Sequence, residues 1–237
     1  MLEYFNQLYS DSVENFYEFL SNNLKDEKKM FIITANPETF MNGEKDDELN
    51  SMLLDEEVVK VPDGIGIVKA ARMLNYNIKE RITGIDIANE LLNKLDEQKK
   101  SLYLFGASED VIKQMAEIIN VKFKNINLLG YSNGYVSDKD KVFENISKLK
   151  PDVVLVALGI PAQEKLIYKH LNKFDKGIFV GVGGSFDVIS GYKKRAPKIF
   201  IKLNLEWLYR ILKEPKRIKR FYNSNVKFLL NIKNKRK

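Results

Sequence analysis

The stretch PDVVLVALGIPAQEKLIYKHLNKFDKGIFVGVGG, residues 151–184, decides the fold. It opens on a short, valine-rich apolar run that stops at Gly159. PAQEKLIYKHL (161–171) follows with helical character, and GIFVGVGG (177–184) is a second apolar run ending in glycines. Strands apolar on both faces belong in a sheet covered on both sides, and a helix between two of them makes the pair parallel. The same unit recurs outward along the chain. MFIITAN (30–36), EVVKVP (57–62) and SLYLFGAS (101–108) read as strands that run into helices, and Asn127 to Leu129 as a short strand. Helices are expected over 12–24, from the end of EVVKVP through Leu74, over 82–95, in EDVIKQMAEII (109–119) and over 138–149. Asn36 and Pro37 suit an N-cap and a first helical position. The fold class is α/β: a mostly parallel sheet covered by helices on both faces.

After Gly191 the pattern is helical only. Within 216–233, Ile218, Phe221, Tyr222, Asn225, Leu229 and Ile232 fall on one helical stripe, with Lys216, Arg217, Lys219, Arg220 and Lys227 largely off it. The organisation is an α/β domain over 1–195 and a basic, amphipathic helical appendage over 196–237.

Charge is unevenly shared. Residues 193–237 hold 16 of the 39 Lys and Arg but only two acids, Glu206 and Glu214, so this tail carries +14 and the rest −7. Such a tail calls for an anionic partner, a membrane surface or a nucleic acid. Three readings stay open for it: a solvated helix pair packed on the domain, a peripheral membrane helix with Phe, Leu and Trp opposite its basic face, and a nucleic-acid-binding element. An exposed apolar stripe on the tail would also allow a homo-oligomer. The absence of cysteine excludes disulfides and thiolate metal sites, and a single histidine, His170, excludes a histidine metal cluster. MLEYFNQLYSDSVENF is acidic and lacks the charged and apolar regions of a secretory signal, and the apolar runs are too short to cross a membrane. A cytoplasmic location, or a surface facing the cytoplasm, is expected.

Ligands of open parallel sheets bind beyond the carboxyl ends of strands. Thr34-Ala35-Asn36, Pro62-Asp63-Gly64, Gly159 to Gln163 and Gly181 to Ser185 supply polar or glycine strand ends, and Phe105-Gly106-Ala107-Ser108 resembles a nucleotide-binding turn. DGIGIVK contains G-x-G but has Lys69 where a dinucleotide fingerprint needs a third glycine, and Asp63 would repel a pyrophosphate. The turn at 181–185 lacks the Gly-Lys-Ser/Thr of a P-loop. Asp63 is either a general base or an N-cap, and spacing alone favours the cap. Asp138-Lys139-Asp140 matches a D-x-D metal motif literally, but at a helix start the capping reading is better. Arg81, ahead of a helix beginning near Thr83, suits either a diphosphate clamp or a surface salt bridge. Gln163 in a first helical turn either reaches into the site or is a solvated helix residue. His170 reads as a helix-surface or partly buried side chain.

TANPETFM, VPDGIGIVKAARML, RITGIDIANELL, LGIPAQEK, GVGGSFDVISGYKKRAP and LEWLYRILKEPKRIKR occur in this order. As a set, from about residue 30 to 222, they resemble the WecG/TagA/CpsF family of bacterial glycosyltransferases. The resemblance implies a Rossmann-like domain and an inverting, metal-independent enzyme without a cofactor. Such an enzyme takes a UDP-sugar donor and an undecaprenyl-diphosphate-linked acceptor at an anionic membrane surface, with no nucleic acid involved. Its branches differ. The TagA-like branch transfers N-acetylmannosamine for wall teichoic acid, the WecG-like branch N-acetylmannosaminuronic acid, and others serve capsule or exopolysaccharide. By the resemblance Asp63 is the general base, Thr34 and Asn36 position the reactants, and Arg81 and Gln163 bind the donor. Gly106, Gly159, Gly183 and Gly184 are expected around the nucleotide sugar. Arg210, Arg217 and Arg220 match the appendage arginines, for diphosphate or lipid headgroups.

Overall fold

The computed structural model describes residues 1–235; Arg236 and Lys237, the end of the basic terminus, lie outside the described residues. Six strands form one sheet: β1 (Lys29–Ala35), β2 (Val58–Pro62), β3 (Ser101–Gly106), β4 (Asn127–Ser132), β5 (Val153–Ala157) and β6 (Gly177–Gly181). Their order is β2-β1-β6-β5-β3-β4, and every neighbouring pair is parallel. The valine-rich run of β5 shows why the sheet must be covered twice. Side chains alternate across a strand. Val153 and Leu155 therefore join Ile32, Leu104 and Val180 on one face, while Val154 and Val156 join Phe31, Phe105 and Phe179 on the other.

The first face is covered by α1 (Val13–Lys25), α5 (Gly84–Gln98), α6 (Glu109–Lys122) and α9 (Ser185–Ile189). The second is covered by α2 (Pro37–Gly43), α3 (Asp47–Leu54), α4 (Ile65–Met73), α7 (Lys139–Leu149) and α8 (Ala162–His170). Asn36 caps α2 through a reciprocal capping box with Thr39, as its sequence promised. α3 has no counterpart in the sequence reading; its eight residues are too few for a clear helical period, and Asp46 caps it. The outer edge of β2 is closed by the N-terminal segment, where Tyr9 N–H donates to the Lys60 carbonyl at 2.7 Å.

Beyond Ile189 come α10 (Lys198–Lys202), α11 (Glu206–Lys213), α12 (Arg217–Phe221), a π-helical turn (Tyr222–Val226) and α13 (Lys227–Lys235). The π turn inserts a residue into the helical ladder and shifts the stripe expected from a uniform period. Ile218 and Tyr222 are exposed, whereas Ser224, Phe228 and Ile232 are buried. The Phe228 ring meets Phe40 at 6.0 Å, so α13 is part of the core on the second face of the sheet. The tail is thus divided: residues 198–221 lie over the strand ends, and α13 is built into the domain.

Candidate active site

The carboxyl ends of β1, β2, β5 and β6 and the inner side of α11 and α12 enclose a cleft of about 870 Å³. Thr34, Asn36, Asp63, Arg81, Gln163, Gly159, Gly183, Gly184, Arg210, Arg217 and Arg220 all line it. The strand order puts them there: β1 and β2 sit side by side, and β6 and β5 follow directly on.

Asp63 follows the last residue of β2, and its own N–H donates to the Ala35 carbonyl at 2.8 Å, which fixes the backbone beside β1. It does not cap α4. The N-cap is Gly64, held at φ 90°, a left-handed value that glycine takes without strain, and no side chain caps this helix. The carboxylate is therefore free of the helix start, contrary to the capping expectation, and it faces the cleft. Burial pushes its pKa up to about 6, against the pull of Arg210 and then Arg81; Glu206 and Asp86 reinforce the rise. A carboxylate poised near neutrality and unspent on structure is the expected form of a general base.

Thr34 is buried at the end of β1, where its hydroxyl donates to the Gly181 carbonyl at 3.1 Å and ties β1 to β6. Asn36 uses Oδ1 on the N–H groups of Glu38 and Thr39 at 2.9 and 3.0 Å. Its Nδ2 has no acceptor among the described residues and is left for the cleft.

Gln163 is not a solvated helix residue. It is 1 % exposed, and its Oε1 accepts from the N–H groups of Gly159 and Gly183, each at 3.1 Å. One amide oxygen thus braces the loop after β5 against the loop after β6. Nε2 donates to Glu164 Oε1 at 2.8 Å, which decides which way the amide faces. Burial pushes the Glu164 carboxyl up to about 7. Sequence reasoning passed over Glu164; its first turn, Ala162-Gln163-Glu164-Lys165, is mostly polar and gives no local sign of burial.

Gly159 and Gly183 have positive φ, and nothing stands within 4 Å of a side chain added at either, so both open onto the cleft. Gly106 does not belong with them. A Cβ there would lie 2.3 Å from the Ala157 carbonyl oxygen, so this glycine permits the close approach of β3 to β5, and Ala107 lines the cleft instead. Gly106→Ala is accordingly expected to destabilise the fold by more than about 1 kcal/mol at a φ of +121°. A lowered thermal midpoint would register this.

Arg81 is not a surface bridge. Its Nη2 donates to Glu206 Oε2 at 2.8 Å, with side chains 16 % and 10 % exposed. Among the three appendage arginines, Arg217 is held by Glu214 at 2.7 Å and Arg220 grips Glu38 with Nε and Nη2. Arg210 has no carboxylate partner among the described residues, and it is the cation acting most strongly on Asp63. Outside the cleft, Asp138 caps α7, and Asp140 is occupied by Lys169 and His170, so the D-x-D match is structural. His170 is fully buried, stacked on Phe143.

A family model and known proteins match this chain. The model of the glycosyl transferase WecG/TagA/CpsF family covers residues 5–237. An N-acetylglucosaminyldiphosphoundecaprenol N-acetyl-beta-D-mannosaminyltransferase of Bacillus subtilis (strain 168) is 40% identical over 94% of this chain and 87% of its own length. A protein of the same description from Bacillus spizizenii is 41% identical over 83% of this chain and 76% of its own. Another, from Staphylococcus aureus (strain MW2), is 36% identical over 95% and 87%.

Proposed function

We propose a sugar-transfer reaction from one premise: the chain belongs to the glycosyl transferase WecG/TagA/CpsF family. The reaction moves N-acetylmannosamine from a UDP-sugar to the 4-hydroxyl of undecaprenyl-diphosphate-linked N-acetylglucosamine, in the making of wall teichoic acid or a related surface polymer. The activity for which the relatives are named supports the sugar and the acceptor. The observation that carries the chemistry is Asp63, an unspent carboxylate with a raised pKa on a cleft that also holds Arg81 and Arg210.

Asp63 takes the proton of the acceptor hydroxyl as its oxygen bonds to the anomeric carbon. The bond from that carbon to the UDP oxygen breaks, and UDP leaves as an anion. Attack opposite the leaving group inverts the centre, from an α-linked donor to a β product. Arg81 and Arg210 face the negative charge that grows on the diphosphate, the place where preorganised donors lower a barrier most. These cations supply the compensation that we assign to the protein rather than to a metal ion. Asn36 offers Nδ2 to a sugar oxygen. Gln163 acts by tying the two glycine loops to one another through a single amide oxygen.

No helix among the described residues is long and apolar enough to cross a membrane. The outer side of residues 198–221 exposes Ile199, Leu203, Leu212 and Ile218 among lysines, which suits binding to an anionic bilayer where the lipid-linked acceptor resides. We place the protein on the cytoplasmic face of the membrane, where nucleotide sugars are made.

UDP release from UDP-N-acetylmannosamine, with EDTA present and a short-chain lipid-diphosphate-N-acetylglucosamine acceptor, tests the reading. Acceptor-dependent release is expected. Loss of release in EDTA, restored by a divalent ion, would refute metal independence. Failure of the folded protein with this donor and with a panel of UDP-sugars would refute the transferase reading.

A further inference from the structure

The tail contributes an anion as well as cations. Glu206 is the first residue of α11 and is 8 % exposed. Its Oε2 accepts from Arg81 Nη2 at 2.8 Å, and its Oε1 lies 3.5 Å from Arg195 Nε. Arg195 in turn donates through Nη2 to Asp86 Oδ1 at 2.8 Å, and Asp86 Oδ2 accepts from the Thr83 hydroxyl at 2.5 Å. A carboxylate this deeply buried is tolerated only with cationic partners, and it has two. The chain of contacts runs from the start of α5 into the appendage and back to Arg81. Arg81 has five N–H donors, and Glu206 engages one nitrogen, leaving the remainder of a guanidinium that lines the cleft.

We propose that Glu206 is a positioning residue: seated with the appendage, it holds Arg81 by one edge and thereby aims the free edge at the diphosphate of the donor. The inference rests on the transferase reading above, because it presumes that Arg81 meets a nucleoside diphosphate. Geometry and bare electrostatics predict opposite outcomes. A carboxylate beside an anion site weakens anion binding by repulsion, so its removal should tighten binding if Glu206 does nothing else. If Glu206 positions Arg81, its removal weakens binding, because a misdirected guanidinium loses its paired hydrogen bonds.

The experiment is equilibrium binding of UDP to four full-length proteins: wild type, Glu206→Ala, Arg81→Ala and the double variant. Emission from Trp207, the only tryptophan, reports whether the appendage stays docked, since its ring lines the cleft between the appendage and the strand ends. The expected result is a loss of UDP affinity on the order of tenfold in Glu206→Ala with unchanged Trp207 emission, and no further loss when the same change is made in Arg81→Ala. Should Glu206→Ala undock the tail, Glu206→Gln, which keeps the volume, is measured in its place. The proposal is overturned by unchanged or tighter UDP binding. Equal losses in the two Arg81 backgrounds overturn it as well, as do losses that appear only together with a Trp207 shift in both substitutions. Wild-type protein that fails to bind UDP would sink the donor reading itself, a failure visible before any variant is compared, and would take this proposal with it.

Discussion

Asp63→Asn folds normally and loses about 10²- to 10⁴-fold in kcat, the range that general-base catalysis supplies. The substitution keeps the shape and removes only the ability to take a proton. Since the Asp63 side chain caps no N–H group of α4, the helix behind it has nothing to lose. The pKa of about 6 gives the prediction a second edge. The reactive form is the carboxylate, so wild-type kcat/KM falls as pH drops through about 6. The residual activity of Asp63→Asn lacks this acid limb.

The stability change runs the other way. The folded pKa lies above the ordinary aspartate value of 3.8, so between the two values the native state binds more protons than the unfolded one. Stability from this group is therefore present at low pH and lost as pH rises through about 6. Replacement by Asn removes the cost of a buried charge, and the variant gains at most about 3 kcal/mol over wild type at pH 7, with little gain at pH 4. Thermal melts at the two pH values check the sign. A variant that keeps full turnover, or that is destabilised at pH 7, would remove Asp63 from the role of base.

The sheet was legible because β5 and β6 are so apolar that no half-exposed arrangement accommodates them, and a glycine stands at the end of β6 (Gly181) and just past β5 (Gly159), where ligand loops begin. The positions of the site residues followed from the same strand ends. What spacing could not tell was how each side chain is spent. Asp63 has the residue type and position of an N-cap, and only the left-handed Gly64 between it and α4 releases it. Gln163 looks solvated in a first helical turn, yet its partners, Gly159 and Gly183, lie 4 and 20 residues away and meet it only through the sheet. Gly106 resembles a phosphate turn in sequence, but its want of a side chain answers the carbonyl of Ala157. Arg81 and Glu206 stand 125 residues apart, and nothing local marks them as partners. The appendage stripe held at Leu229 and Ile232 but not at Ile218 and Tyr222: a period of 3.6 assumes an unbroken ladder, and the π turn breaks it.

That break matters for the second large effect. Cutting the chain after residue 196 removes every appendage cation and abolishes turnover, and it also injures the domain. Phe228 and Ile232 are fully buried against the second face of the sheet, and Lys235 and the N-terminal ammonium share Glu44. Losing a buried Phe alone costs about 3–5 kcal/mol, worth roughly 10 °C of thermal midpoint in a chain of this size. The cut also uncovers Phe40, so the remaining protein is expected to self-associate. Arg210→Ala separates the two effects. Arg210 is exposed and has no carboxylate partner among the described residues, so its removal leaves the midpoint unchanged while kcat falls by about 10²- to 10³-fold, as for a lost donor at a developing anion. Calorimetry and light scattering on the truncated protein, beside kinetics on Arg210→Ala, decide the matter. A truncated chain that stays monomeric with a wild-type midpoint would show that α13 adds nothing to the core. In the structure α13 is anchored in the core through Phe228 and Ile232, whereas residues 198–221 are tied over the cleft by ion pairs such as Arg81–Glu206 and Arg220–Glu38.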